Sequence, residues 1–222
     1  MFEQIKSQSK PKLVLIHGNS AGIKFPMRDR QIKYGSFTVF KELIDSGEAI
    51  LFGWHYINEE FDLYKTLNPF EFRRQYFTEK EYCGSEAAWL KLDQFLELQQ
   101  PEKIVCHSMG CYLLLNTINV YGLPDAVKSV YLAQGDFDRE FKLINSEILQ
   151  RIKSGDLKIY NYHCDWDQML ALSIAANGVI PGGLTGANEK YFTNILFPSP
   201  RKLNVHQAIL DSDRFLSEVL ES

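Results

Sequence analysis

The chain has 222 residues, of which 45% are hydrophobic and 23% are charged, a composition typical of a globular protein with a sizeable core. A net charge of −4 without a cluster of Lys and Arg argues against a nucleic-acid-binding surface. No apolar stretch is long enough to span a membrane, and the polar start MFEQIKSQSKPK lacks the apolar centre of a secretion signal. We therefore expect one domain over residues 1–222, located in the cytoplasm.

Short apolar runs alternate with longer amphipathic segments along most of the chain. This alternation is typical of a parallel sheet whose strands are joined by helical crossovers. The predicted strands are 12–18, 49–54, 103–106, 129–133, 157–162 and 191–197. The predicted helices are 37–46, 85–99, 111–120, 139–152, 168–176 and 208–220, with Ser85 as an N-cap. The expected fold is a single α/β domain of three layers, α/β/α, around a mostly parallel sheet of about six strands.

Two segments depart from this alternation. Residues 55–84 are rich in aromatic side chains and show no clear period, so we expect them either to line a substrate cleft or to pack over one end of the sheet. Residues 177–190 are rich in glycine and are predicted to form a flexible loop.

A serine lies at the corner between the third predicted strand and the helix after it. The strand 103–106 stops at the sequence HSMG, and Ser108 is the second residue of that sequence. A sharp turn from a strand into a helix exposes a serine hydroxyl and places the first N–H groups of the helix beside it. Our working hypothesis is that Ser108 is a catalytic nucleophile. Such a serine needs a base, a group that orients the base, and donors for the oxyanion.

The oxyanion donors are expected from two loops. The sequence HGNSAG, residues 17–22, directly follows the first predicted strand. If the first and third strands are neighbours, this loop lies beside the elbow. The backbone N–H groups of Asn19 and Met109 would then form the oxyanion hole.

The sequences HGNSAG and CHSMG resemble those of the α/β-hydrolase superfamily in its lipase and esterase branch. The nucleophile elbow of that family is Gly-x-Ser-x-Gly, and Gly110 matches the second glycine while Cys106 replaces the first. Cysteine is small enough for this crowded position. In relatives the histidine before the serine is not the base, so His107 is expected to be packed or hydrogen-bonded below the turn. The residues 134–156 hold roughly one helix, so the resemblance implies a minimal fold with little or no cap.

The resemblance also implies that an acid and then a histidine follow the serine along the chain. In relatives the acid comes three residues after a small residue at the end of the fifth strand. Cys164 occupies that place, so Asp167 is the predicted acid, with Asp165 as the close alternative and Asp136 as a third. His206 is the predicted base because no other histidine lies downstream of residue 170. The predicted catalytic triad is therefore Ser108, Asp167 and His206.

These residues predict a serine hydrolase that cleaves a carboxylic ester through an acyl-enzyme intermediate. A thioesterase or amidase would use the same triad, and a non-catalytic member of the fold could use residues 55–84 to bind a partner. The four cysteines and five histidines show no metal-ligand spacing, and no GxGxxG or P-loop is present, so neither a metal nor a cofactor is predicted. The expected substrate is a small ester or thioester. The acyl-chain length and the oligomeric state have no signal in the sequence.

Overall fold

One fully parallel, six-stranded sheet organises the computed structural model, which describes residues 11–18, 34, 36–54, 69–198 and 205–221. The strands are β1 (Leu13–Ile16), β2 (Ala49–Phe52), β3 (Lys103–His107), β4 (Ser129–Ala133), β5 (Lys158–His163) and β6 (Phe192–Leu196). They lie in the order β2-β1-β3-β4-β5-β6, and the sheet does not close into a barrel. The predicted α/β fold and its six strands are confirmed.

Helices cover both faces of this sheet. They are α1 (Lys41–Ser46), α2 (Pro69–Cys83), α3 (Glu86–Gln99), α4 (Met109–Tyr121), α5 (Ser146–Ser154), α6 (Gln168–Asn177), α7 (Gly182–Thr185) and α8 (Asp213–Glu221). Alternate residues of each strand face opposite layers. On β3, Ile104 packs in a cluster with α3 and α4, whereas Val105 packs on the other face with Phe215 of α8. The three predicted layers are therefore present.

Capping side chains fix several helix starts. Ser85 caps α3 as predicted, because its hydroxyl accepts from the Ala88 N–H at 3.3 Å. The helix predicted from residue 139 begins instead at α5, where the Asn145 side chain accepts from the N–H groups of Glu147 and Ile148. The last helix is also shorter than predicted, because residues 206–211 form turns and α8 begins at Asp213.

The second half of the segment 55–84 forms a helix that the sequence did not predict, and the two expected roles of the segment stay predictions. Residues 69–83 form α2, which packs Tyr76 and Cys83 into the core, while residues 55–68 lie outside the described ranges. The helix was missed because most of its side chains are polar or aromatic, and its buried face shows no clear apolar period.

The glycine-rich segment 177–190 is not a flexible loop. It contains α7, whose first two residues pack against the loop after β4. The Gly183 N–H donates to the Gly135 carbonyl at 2.9 Å, and the Gly183 carbonyl accepts from the Cys164 N–H at 2.9 Å. The glycines serve this close approach between backbones, because a Cβ on Gly183 would lie 2.1 Å from the Gly135 nitrogen.

Replacing Gly183 by alanine is expected to lower the free energy of unfolding by about 3 kcal/mol or more, since the new methyl group would overlap three backbone atoms of residues 134 and 135. Gly53 is the matched control, because a Cβ there has nothing within 4 Å. Urea unfolding of the two variants measures the difference. Equal stability of Gly183→Ala and Gly53→Ala would contradict the packing described here.

Candidate active site

Ser108 forms the turn between β3 and α4 in a backbone conformation that side chains rarely adopt. Its φ of 52° and ψ of −124° place a non-glycine residue in the positive-φ region. Three backbone hydrogen bonds hold it there. The Ser108 N–H donates to the Ala133 carbonyl at 3.1 Å, and the Ser108 carbonyl accepts from Cys111 at 3.0 Å and Asp136 at 2.9 Å. Such strain persists only where the surrounding structure enforces it.

The loop after β1 lies directly against this elbow. The strands β1 and β3 are neighbours, as the oxyanion prediction required, with Ile16 opposite Cys106. A Cβ on Gly110 would lie 2.4 Å from the His17 carbonyl oxygen, and one on Gly18 would lie 2.6 Å from the Ser108 Cβ. Glycine at these two positions therefore lets the two loops meet.

Of the two predicted oxyanion donors, the structure describes only Met109. Met109 is the first residue of α4, where a backbone N–H has no acceptor within the helix. Asn19 lies outside the described residues, so its part in an oxyanion hole stays a prediction.

Cys106, which replaces a glycine of the family elbow, is fully buried in the core cluster. Its Sγ lies 3.5 Å from the Tyr131 carbonyl oxygen, which makes it a weak hydrogen bond to the neighbouring strand β4. All four cysteines are free and buried. The position therefore accepts a small sulfur-bearing side chain without opening the elbow.

The structure brings the three predicted triad residues together. The Ser108 Oγ lies 2.9 Å from the His206 Nε2, and the His206 Nδ1 lies 2.8 Å from the Asp167 Oδ2. The other oxygen, Oδ1, accepts from the N–H groups of Met169 and Leu170 at 3.0 and 3.1 Å. Asp167 therefore caps α6 and pairs with the histidine at the same time.

The environment keeps Asp167 ionised. Burial by itself raises the pKa of this carboxyl, but hydrogen bonds from His206, from the Leu170 N–H and from Gln134 outweigh burial and hold the pKa below its ordinary value. At neutral pH the group is a carboxylate, and it can accept a hydrogen bond from a protonated Nδ1 of His206.

The two alternative acids lie elsewhere. Asp165 is exposed, two residues before the helix cap. Asp136 is buried, but its carboxylate accepts hydrogen bonds from Tyr76 at 2.8 Å and Ser173 at 2.7 Å instead of meeting His206. Of the three candidates, Asp167 is the one that the structure pairs with the histidine.

His107 supports the backbone of the candidate base, consistent with the expectation that it is packed and hydrogen-bonded. Burial and the nearby His206 lower the pKa of His107 to about 3, so its ring is neutral. Its Nε2 lies 2.7 Å from the His206 carbonyl oxygen. Because a carbonyl only accepts, the Nε2 carries the proton and donates it.

Sequence reasoning missed Gln134. This residue directly follows β4, is fully buried, and donates through its Nε2 to the Asp167 Oδ2. The signal that could have found it is its place. It is a polar residue at the carboxyl end of a central strand, beside the strand that carries Ser108.

A second polar cluster lies next to the elbow, between α2 and α6. The Tyr76 hydroxyl is 2.8 Å from Asp136 and 2.8 Å from Ser173, and it accepts from Lys80 at 2.9 Å and Asn177 at 2.7 Å. Burial and the Asp136 charge raise the pKa of Tyr76, so its hydroxyl stays protonated. These contacts join α2 to α6 and to the loop after β4.

Replacing Tyr76 by phenylalanine is expected to lower the free energy of unfolding by about 2 kcal/mol, because it removes one of the donors to the buried Asp136 carboxylate. The exposed Tyr121 is the matched control, and its change to phenylalanine is expected to matter by less than about 0.5 kcal/mol. Chemical unfolding measures both variants. A Tyr76→Phe protein as stable as the wild type would show that the cluster contributes nothing to stability.

No protein-family model and no curated protein matches the chain. Among solved structures, one similar chain is an uncharacterized protein from Bacillus cereus ATCC 10987, at 14% identity and a TM-score of 0.42. The match covers all of this chain but 63% of that one. Another is the product of gene lin2722 from Listeria innocua, at 12% identity and a TM-score of 0.45, covering 96% of this chain and 95% of that one. At these TM-scores the two likenesses say nothing about function.

Within the described ranges, no helix combines the length and the apolar character needed to cross a bilayer.

Proposed function

We propose that this chain is a serine hydrolase of the α/β-hydrolase type that cleaves a carboxylic ester through an acyl-enzyme. The observation that carries the proposal is the unbroken hydrogen-bond chain from Ser108 through His206 to Asp167, at 2.9 and 2.8 Å. The strained turn that presents Ser108 adds support, because such strain clusters at functional sites.

In the first half of the reaction, the Ser108 Oγ attacks the ester carbonyl carbon while the His206 Nε2 takes the hydroxyl proton. The carbonyl oxygen becomes an oxyanion, for which the N–H groups of Met109 and Asn19 are the proposed donors. Each such donor contributes about 3 kcal/mol to the stability of the transition state. The intermediate collapses, His206 returns the proton to the departing alkoxide, and an alcohol leaves.

In the second half, a water molecule attacks the acyl-enzyme while His206 takes one of its protons. Collapse of the new intermediate releases the carboxylic acid, and the proton returns to the Ser108 Oγ. Asp167 remains a carboxylate throughout. It holds the proton on Nδ1, so that Nε2 presents its lone pair to Ser108, and it stabilises the imidazolium that forms in each half.

Exposed apolar side chains beside the acid support an ester with an apolar part. Trp166 precedes Asp167 in the chain, Met169 and Leu172 lie in the first turns of α6, and all three are exposed. Exposed large apolar side chains this close in sequence to the proposed acid would suit a substrate with an apolar part. A thioesterase or amidase on the same triad is the second candidate, and a binding protein of the same fold is the third. The cytoplasmic location remains a prediction from the sequence.

A fluorophosphonate probe tests the proposal on the wild-type protein. We expect one label per chain, located on Ser108 by mass spectrometry, together with hydrolysis of an activated ester. A panel of esters, thioesters and amides then separates the first two candidates by kcat/KM. A folded wild-type protein that is not labelled and hydrolyses no member of the panel would exclude the serine-hydrolase proposal and leave the binding protein.

A further inference from the structure

We propose that Gln134 is a positioning residue that holds Asp167 and His206 in one arrangement with a single side-chain amide. The inference rests on the proposed function, because it assigns Gln134 a role in the same reaction. It adds a residue that lies in none of the elbow, acid or base motifs.

Gln134 occupies a constrained place at the end of β4. Its N–H donates to the Tyr162 carbonyl at 3.0 Å, which extends the pairing of β4 with β5 by one residue. Its φ of 46° is positive although it is not a glycine, and its side chain is fully buried. The surrounding structure therefore holds a strained residue here, and its buried amide side chain reaches Asp167.

Three hydrogen bonds use this amide almost completely. The Nε2 donates one hydrogen to the Asp167 Oδ2 and the other to the Val205 carbonyl at 2.8 Å. The Oε1 accepts from the Ile209 N–H at 3.4 Å. The Asp167 oxygen that receives the Gln134 hydrogen is the same one that receives the Nδ1 hydrogen of His206.

His206 needs such support because no regular element carries it. It lies in turns between residue 205 and α8. Gln134 contacts the backbone on both sides of His206, at Val205 and at Ile209, and His107 contacts the carbonyl of His206 itself. The amide thus links the base turn to the acid, whereas His107 reaches the base alone.

An amide also suits the charge at this point. It donates to the carboxylate at every pH, and it adds no charge of its own to the acid–base pair. A carboxyl in its place would face Asp167 as a second acid, and two adjacent carboxyls share a proton.

The first test replaces Gln134 by leucine, which keeps most of the volume and removes all three hydrogen bonds. We expect kcat for an activated ester to fall about 100-fold with KM near the wild-type value, because a base displaced by about 1 Å loses about that much rate. We also expect the low-field proton resonance of the His206 Nδ1 hydrogen to broaden or vanish through faster exchange with water.

Asn161→Leu is the matched control. Asn161 is a fully buried amide on the adjacent strand β5, and it donates to the Gly182 carbonyl and to Asn194 rather than to the triad. Its loss costs buried hydrogen bonds of the same kind. A purely structural role for Gln134 would therefore make the two variants alike in kcat and in the low-field resonance, and that outcome would overturn the proposal.

The second test, Gln134→Glu, keeps the shape and gives a pH signature. The titratable groups facing this point are Asp167, His206 and His107, and the wild type carries all three, so the ratio of variant to wild-type rate isolates the effect of the introduced carboxyl. At low pH the introduced carboxyl holds a proton and donates to Asp167, and at high pH it is a second negative charge. We expect the ratio of variant to wild-type kcat/KM to fall about tenfold between about pH 6 and about pH 9.

The outcomes separate this proposal from the proposed function. Loss of the low-field resonance in Gln134→Leu without any labelling of wild-type Ser108 would support the positioning role and exclude the hydrolase. Normal labelling with an unchanged resonance and kcat in Gln134→Leu would exclude the positioning role alone. If Gln134→Leu does not fold, a pH-independent ratio for Gln134→Glu overturns the proposal, and a falling ratio supports it.

Discussion

Ser108→Ala is expected to remove covalent labelling by a fluorophosphonate and to lower kcat/KM for an activated ester by about 10⁴-fold or more. The change deletes the atom that is proposed to form the acyl-enzyme, while the proposed N–H donors and substrate contacts would remain. Those contacts alone support a residual rate well below that of the complete triad. Labelling is measured by intact mass, and activity by release of the alcohol.

Ser173→Ala is the matched control for the nucleophile. Ser173 is also a buried serine hydrogen-bonded to an aspartate, Asp136, but it has no histidine partner among the residues that the structure describes. The control is expected to keep its label and its activity. Labelling that persists in Ser108→Ala and disappears in Ser173→Ala would show that the reactive hydroxyl belongs to Ser173 and would contradict the assignment to Ser108.

Asp167→Asn is expected to lower kcat by about 10⁴-fold with little change in KM. An amide that turns its NH₂ toward the Nδ1 of His206 leaves the ring proton on Nε2. A protonated Nε2 has no lone pair with which to accept the hydrogen of Ser108. The fold should survive the change, because an asparagine oxygen can still cap α6 through the N–H groups of Met169 and Leu170. Steady-state kinetics on protein of verified fold gives the measurement.

Two further amide substitutions test whether the acid is correctly assigned. Asp165→Asn changes an exposed side chain and is expected to leave kcat within about twofold of the wild type. Asp136→Asn alters the Tyr76 cluster and is expected to lower stability more than it lowers kcat. A collapse of kcat in Asp165→Asn, with Asp167→Asn active, would reverse the assignment.

Much of this site follows from sequence order, because strands, helix caps and turns are local features. The apolar runs predict the sheet, and the choice of Asp167 over Asp165 comes from the spacing in the family that the sequence resembles. The cap bonds to residues 169 and 170 settle the position of that carboxylate by local geometry. His206 follows from chain order in the same way.

The parts that the sequence did not predict depend on contacts between distant segments. Gln134 forms hydrogen bonds with Asp167 and Val205, which lie 33 and 71 positions further along the chain. No local sequence pattern encodes contacts over such separations. Helix α7 was not predicted because a glycine-rich segment usually indicates a flexible backbone. Gly183 is instead needed because the neighbouring backbone leaves no room for a Cβ. Helix α2 was hidden because its buried side chains include the polar Tyr76.

The Tyr76 cluster fixes the position at which α2 packs on the protein. Apolar contacts alone would tolerate several placements of a helix, since they have no direction. A slide of α2 by one turn, 5.4 Å, would carry the Tyr76 hydroxyl away from Asp136 and leave that buried carboxylate without one of its donors. A partly satisfied buried network is worse than none. The cluster therefore favours one position of α2 against α6 and the loop after β4 over positions shifted by a turn.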